Sequence, residues 1–214
     1  MTMIFLIRHG LTDQTGTRLY GRTPGLHLSE RGREQAQRLA ERFSGMRLAA
    51  VYSSPLERCI ETATPLAAAQ GLRVTRRAGL LEMDAGAWTN RALSGLARTK
   101  LWHQIQQTPS QAAFPEGESF AAANSRLVEA LGRIAGAHPR RRVAVVSHSD
   151  NIRMLLTHVA GAHLDQFQRM VVDTASVSIV TVGRGTPRLF LVNEAGADLA
   201  RFGGGASRRG VYAT

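Results

Sequence analysis

MIFLIRHG, residues 3–10, runs from a continuous apolar stretch straight into an arginine and a histidine. A short apolar run rich in branched and aromatic residues, closed by a glycine, reads as a buried strand. A guanidinium and an imidazole at its end are costly unless something anionic meets them. The same grammar recurs twice. LAAVYSS (48–54) reads as a strand, and Pro55 suits the first turn of a helix continuing through LERCIETATPLAAAQ. RRVAVVSHSD (141–150) is a nearly continuous apolar strand, and NIRMLLTHVAG follows as a helix ending near Gly161. Repeated strand–helix units predict an α/β fold of three αβα layers, with a mainly parallel central sheet covered by helices on both faces.

The remaining elements fit that frame. LSERGREQAQRLAERF (28–43) reads as a helix capped by Ser29, with Ala36, Leu39, Ala40 and Phe43 on one face. LRVTR is a third short strand after Gly71, and a further helix is expected at about 119–137. SVSIVTV and RLFLVN, joined across Gly183–Pro187, read as a C-terminal strand hairpin. Residues 79–119 are irregular and carry Trp88, Trp102, Phe114 and two prolines, so they read as an insertion folded over the body. One domain is expected over 1–202, with 203–214 as a flexible tail.

Composition narrows the function classes. The 43% hydrophobic and 20% charged content is that of an ordinary globular chain, and no apolar run approaches the about 20 residues of a membrane span. The start of the chain lacks the pattern of an export signal, and the single cysteine, Cys59, allows no internal disulfide, so a cytoplasmic setting is expected. Cys59 itself reads as a packed small hydrophobe. The formal charge of +11 comes almost wholly from arginine, Lys100 being the only lysine. That excess reads either as attraction for an anionic partner or as codon bias, with the weight on the second. Without an RNA-binding aromatic signature or zinc-finger spacing, no specific nucleic-acid partner is expected.

The chemistry collects at strand ends. Parallel strands share one carboxyl rim, where ligands bind. Three strands deliver Arg8 and His9, then Ser53 and Ser54 followed by Arg58, then Ser147 and His148. Two histidines and two arginines near helix N-termini call for a dianion, and phosphate fits best. Arg8 and Arg58 can grip phosphoryl oxygens bidentately. His9 can attack phosphorus through one ring nitrogen if a backbone carbonyl holds the other, and His148 can share charge on the phosphoryl oxygens. Glu82, at the mouth of the insertion, is the candidate acid for the departing alkoxide, with Asp84 a nearby competitor. The other histidines lack such a setting.

LIRHG, LSERGREQA, VYSSPLERCIETA, LLEMDAGAW and VVSHSDNIRMLL, in this order, resemble the histidine phosphatase superfamily, also called the phosphoglycerate mutase-like family, from about residue 3 to 193. The resemblance implies a phosphohistidine intermediate on His9, a phosphate pocket of Arg8, Arg58 and His148, and Glu82 as proton donor and acceptor. No metal or organic cofactor is implied for the phosphatase branch, whose substrate would be a small phosphorylated metabolite. Where mutases and sugar bisphosphatases of the family usually carry Trp-Asn, this chain has Gln14–Thr15, with Thr15 the residue still placed to reach a phosphate oxygen. Asn90 stands where glycine is common, and Asp150, two residues after His148, reads as the cap of the following helix.

These departures favour a phosphatase over a phosphoglycerate mutase. A phosphate-binding module without turnover and an arginine-driven nucleic-acid binder are the rivals from other classes. Specificity is expected from residues 83–120. There Arg91, Arg98 and Lys100 are candidates for a second anionic group, and Trp88 and Trp102 either contact substrate or pack the insertion. The Glu116–Gly117–Glu118 turn is a minor metal candidate. The oligomeric state and the physiological substrate are not written in the sequence.

Overall fold

The computed structural model describes residues 1–196 and 199; the expected tail at 203–214 and its boundary lie outside the described residues. In chain order the strands are β1 (Thr2–Arg8), β2 (Arg18–Leu19), β3 (Ala50–Ser53), β4 (Val74–Arg76), β5 (Arg91–Ala92), β6 (Arg142–Ser147), β7 (Val177–Val182) and β8 (Arg188–Glu194). The α-helices are α1 (Glu30–Arg42), α2 (Glu57–Ala69), α3 (Leu93–Leu96), α4 (Lys100–Gln107), α5 (Phe120–Ala137) and α6 (Ser149–Val159). Six strands form one sheet in the order β4-β3-β6-β1-β7-β8, while β2 and β5 pair apart from it. β4, β3, β6 and β1 run parallel, and β7 returns antiparallel to β1 with β8 as its hairpin partner. No helix among the described residues is long and apolar enough to cross a membrane.

Strand alternation builds the three layers. Ile4 and Leu6 of β1 face α5, α6 and the 79–119 region, together with Val143 and Val145 of β6. Phe5 and Ile7, with Ala144 and Val146, face α1 and α2 instead. β1 and β6 are therefore buried on both sides, and both read as unbroken apolar runs. Ser29 caps α1 by accepting from the Gly32 amide at 3.1 Å, and Ala36, Leu39, Ala40 and Phe43 are all buried. Ser119 caps α5 in the same way, and α2 stops at Gln70 just before Gly71.

Two boundaries differ from the expected ones. α2 begins at Glu57 with Leu56 as its N-cap, so Pro55 stands outside the first turn and serves to turn the chain out of β3. α6 has His148 as its N-cap, which leaves Asp150 inside the first turn with no capping hydrogen bond. A strand ending in Ser147 passes into the helix without a spacer, so the extended cap conformation falls on the histidine.

The 79–119 region is compact. Trp88 is buried against Trp102 (ring centroids 6.5 Å apart) and Phe114 (5.8 Å), and Phe114 continues onto Phe120 of α5 at 5.3 Å. Of the two readings for the tryptophans, this stack is the packing one. Asn90 takes φ 63°, the left-handed conformation a glycine would supply.

Candidate active site

Register fixes the floor of the site. Arg8 pairs with Ser147 across β1 and β6, and Ser53 pairs with Val146 across β3 and β6. The residues that follow these three strands therefore emerge side by side at the carboxyl rim. The His9 amide donates to Ser147 O at 3.0 Å, the Ser54 amide to Val146 O at 2.9 Å, and the two histidine rings meet edge to face at 5.4 Å.

The loop after His9 is bolted to α1 backbone to backbone. A Cβ on Gly32 would lie 2.0 Å from Leu11 O, and one on Gly10 would lie 2.7 Å from Gly32 O, so only glycines permit the approach. The Ser29 amide donates to Leu11 O at 2.9 Å, and Gln35 Oε1 accepts from the Leu11 amide at 2.8 Å. From α2, Thr62 Oγ1 accepts from the Gly10 amide at 2.9 Å and donates to Arg58 O at 2.7 Å. The Gly10 carbonyl, fixed in this way, lies 2.8 Å from His9 Nδ1. Nδ1 donates to it, and the lone pair is left on Nε2. Burial, with Arg58 and Arg8 nearby, pushes the His9 pKa down to about 3, so the ring is neutral at pH 7.

The other groups close around that nitrogen. Arg58 is buried and donates through Nη2 to Gly21 O at 3.0 Å, with His148 Nδ1 3.3 Å away. His148 Nε2 lies 2.9 Å from Ser54 Oγ. A guanidinium can only donate, so Nδ1 is the acceptor in the neutral ring and Nε2 carries the proton. Burial and the adjacent Arg58 hold the His148 pKa well below the usual histidine value. Arg8 Nη1 donates to Val172 O at 2.7 Å, while Arg8 Nε and Arg58 Nη1 are buried without a hydrogen-bond partner among the described residues. Buried guanidinium N–H groups left over in this way mark where anion oxygens belong. Cys59 Sγ sits 3.6 Å from His148 Nε2, and burial pushes its thiol pKa up, so it stays protonated as a packing residue.

Glu82 forms the opposite wall. Its Oε2 faces His148 Nδ1 at 3.6 Å and its Oε1 accepts from the Met83 amide at 3.0 Å. Burial first, then the negative charge of Asp150, raise its pKa to about 7 against the pull of Arg58 and Arg8. Backbone contacts position it: Arg22 Nε donates to Glu82 O at 2.8 Å, Arg126 Nη1 to Gly79 O and Leu81 O at 2.9 Å each, and Asn151 Nδ2 to Leu81 O at 2.9 Å. Arg126 also forks onto Glu118 through two 2.8 Å contacts, and Arg22 reaches the same carboxylate at 3.1 Å. Glu118 thus serves two arginines, a structural use in place of the metal candidate read from its turn.

Arg8, His9, Arg58 and Glu82 line one open cavity of about 130 Å³. That is well below the about 300 Å³ at which drug-sized sites begin. The space suits a phosphoryl group with a short body.

The family model of the histidine phosphatase superfamily (branch 1) matches residues 4–195. The chain belongs to that superfamily. A curated relative, phosphoserine phosphatase 1 of Hydrogenobacter thermophilus, is 31% identical over 185 residues, covering 84% of this chain and 86% of that protein. Among solved structures, YhfR of Bacillus stearothermophilus superposes with a TM-score of 0.85 at 26% identity, over 92% of this chain and 98% of that one. The alpha-ribazole phosphatase of Shigella flexneri does so with a TM-score of 0.80 at 25% identity, over 91% and 98%.

Seen as a histidine phosphatase, the chain brings the four groups expected from its strand ends together with Glu82 of the insertion, and Asp84, the competitor of Glu82, is turned to the Gly86 amide at 3.0 Å. Thr15 lines the cavity but its hydroxyl is shared with Thr12, at 2.9 Å between the two Oγ1 atoms. Gln14 stands outside the cavity and is held by the Tyr20 hydroxyl. Arg91, Arg98 and Lys100 do not line it; beyond Arg8 and Arg58 the third arginine lining it is Arg18, anchored by Nη1 to Asn90 O at 2.7 Å. The outer wall comes mostly from residues 12–26, not from 83–120, which contributes only Met83, Ala85 and Phe114. The positioning contacts of Thr62, Asn151, Arg126 and Val172 were not foreseen. Thr62 alone had a legible signal, four residues after Arg58 on the same helix face.

Proposed function

We propose that this histidine phosphatase hydrolyses the phosphomonoester of a small metabolite through a phosphohistidine on His9, without a metal cofactor. One observation carries the reading: a neutral imidazole with its Nε2 lone pair free shares a cavity with a carboxyl group whose pKa is raised to about 7. The first group is a nucleophile and the second an acid available at neutral pH.

In the first half-reaction, Arg8 and Arg58 bind the phosphoryl oxygens through N–H groups that include the unpartnered Arg8 Nε and Arg58 Nη1. His9 Nε2 attacks phosphorus, the bond from phosphorus to the ester oxygen breaks, and Glu82 gives its proton to the departing alkoxide. His148, which lies behind the cavity lining, holds Arg58 Nη2 at 3.3 Å and so positions the guanidinium that carries the charge of the phosphoryl group. In the second half, water attacks the phosphohistidine, Glu82 takes the water proton, the P–N bond breaks and inorganic phosphate leaves. Guanidinium charge supplies the neutralisation that a metal supplies in other phosphatases. The names of the relatives, a phosphoserine phosphatase and an alpha-ribazole phosphatase, support a small phosphorylated metabolite as substrate, and the reducing-type cysteine use supports a cytoplasmic site of action.

The test is phosphate release from p-nitrophenyl phosphate and a panel of phosphorylated metabolites at pH 5–8, with acid-labile phosphate sought on the protein and His9→Ala as control. Release that depends on His9 is expected. Conversion of 3-phosphoglycerate to its isomer, given a trace of bisphosphoglycerate and without phosphate release, would overturn the reading in favour of a mutase.

A further inference from the structure

A groove of about 1190 Å³ opens at the amino ends of the parallel strands, the pole of the sheet opposite His9. Arg47 precedes β3, Arg140 and Arg141 precede β6, and Arg142 begins it, so four arginines line this one groove. No aspartate or glutamate lines it. Codon bias accounts for arginine in place of lysine but not for the missing acids. On the exposed side of α1, by contrast, Glu30 and Glu34 are interspersed with Arg31 and Arg38. Arg47, Arg140 and Arg141 make no side-chain hydrogen bond or ion pair with any described residue.

The backbone beneath these arginines is fixed. His138 O accepts from the Arg141 amide at 3.1 Å and from Thr2 Oγ1 at 2.7 Å. Arg141 O accepts from the Met3 amide at 2.9 Å, and Arg142 O from the Ala49 amide at 2.8 Å. Arg140 is held in this turn at φ 60°, a left-handed conformation that residues with a Cβ rarely adopt. A second kind of group also lacks a partner. Thr181, opposite Met3 in the β1–β7 register and only 9% exposed, lines the groove. Its Oγ1 is buried without a hydrogen-bond partner among the described residues. Clustered guanidinium groups with no carboxylate among them repel one another, and a multiply charged anion relieves them together. Met3, Leu48 and Leu72 give the same groove an apolar stretch on which an uncharged body can lie. No tyrosine, tryptophan or phenylalanine lines it, so the stacking platform of a single-stranded nucleic-acid site is missing. We propose that this groove is a second binding site, for a linear polyphosphate carried on a nucleoside. The phosphates meet Arg47, Arg140 and Arg141 through charge-assisted hydrogen bonds, and the nucleoside lies on the apolar stretch. The site needs neither His9 nor Glu82 and stands apart from the hydrolase reading.

The experiment is titration calorimetry at about 0.15 M salt with a non-hydrolysable ATP analogue, tripolyphosphate and an oligothymidylate. The proteins are wild type, the double variant Arg140→Ser/Arg141→Ser, Thr181→Val and, as the active-site control, Arg58→Met. The analogue is expected to bind wild type with a Kd of about 1–100 μM, and tripolyphosphate several-fold more weakly. The double variant should lose at least about tenfold in affinity for the analogue and Thr181→Val about two- to tenfold, while Arg58→Met should bind it as wild type does. Hydrolysis of p-nitrophenyl phosphate should be unchanged in the double variant, which shows that its fold is intact. Undiminished binding in the double variant would sink the inference, and so would a loss in Arg58→Met, which would put the ligand in the active site. Oligothymidylate bound as tightly as the analogue, with the same dependence on Arg140 and Arg141, would overturn it in favour of a nucleic-acid backbone. Tripolyphosphate bound as tightly as the analogue would overturn the assignment of the nucleoside.

Discussion

The floor and the wall of this site are built by different means. The floor is the rim of β1, β3 and β6, where parallel register sets Arg8–His9, Ser54 and His148 side by side through backbone hydrogen bonds. The wall is made mostly of residues 12–26, whose only regular element is the two-residue β2, with Glu82, Met83, Ala85 and Phe114 from irregular stretches of chain. There, side chains hold backbone: Arg22, Arg126 and Asn151 grip the carbonyls of residues 79–82, and Glu118 ties two of those arginines together. A floor held by repeating geometry fixes the chemistry, and a wall held by individual contacts is free to vary with the leaving group. Changes to the floor should therefore affect all substrates alike, and changes to the wall should depend on what is leaving.

The largest effect belongs to the floor. His9→Ala should lower kcat by at least about 10⁴ on every substrate, because the other neutral imidazole on the rim, His148, turns its unprotonated Nδ1 to Arg58 and does not line the cavity. A residual rate above one hundredth of wild type would mean that water attacks directly. Glu82→Gln is the matching test of the wall. It should cost about 10²–10⁴ on an alkyl phosphate, whose alkoxide needs a proton, and much less on p-nitrophenyl phosphate, whose leaving group does not. Equal losses on the two substrates would show that Glu82 has some other role. In wild type, kcat/KM for the alkyl phosphate should fall about tenfold per pH unit above about 7, as the Glu82 carboxyl ionises.

Next come the supports. Gly32→Ala drives a methyl into Leu11 O and should cost about 1–3 kcal/mol of stability in urea melts while lowering the rate on both substrates by one factor. Arg126→Met removes the clamp on Gly79 and Leu81 and leaves Glu118 with Arg22 and the Asp84 amide. It should cost about 1–3 kcal/mol, and the alkyl phosphate should lose more rate than p-nitrophenyl phosphate. The same loss on both substrates from Arg126→Met would break the distinction between floor and wall.

The contrast also explains what could be read from the chain itself. Arg8, His9, Arg58 and His148 were legible because an apolar run announces a strand, a strand end announces the rim, and parallel strands share it. The fold was legible for the same reason. Glu82 was reachable only by asking which acid the chemistry lacked. The choice of Arg18 over Arg91 was out of reach, because Asn90 O, a single backbone carbonyl in a left-handed turn, decides which arginine faces the cavity. Asp150 was misread for a local reason. An aspartate beginning a helix is usually its cap, but here β6 passes into α6 two residues earlier than that rule assumes, with His148 as the cap.

The smallest effect tests floor against wall through their protons. Burial pushes the His9 pKa down to about 3 and that of Glu82 up to about 7. A group with a depressed folded pKa contributes stability that is present above its unfolded value, about 6.5 for histidine, and lost as pH falls toward the folded one. At pH 5.5, in buffer free of phosphate, keeping His9 neutral should therefore cost about 1.4 kcal/mol relative to pH 7.5. Glu82 runs the other way: its stability is complete below about 4.5 and lost as pH rises through about 7. Urea melts at the two pH values should show His9→Asn losing less stability than wild type on acidification, and Glu82→Gln losing more. Both variants shifting in the same direction would mean that the two histidines and Glu82, whose Oε2 lies 3.6 Å from His148 Nδ1, titrate as one unit.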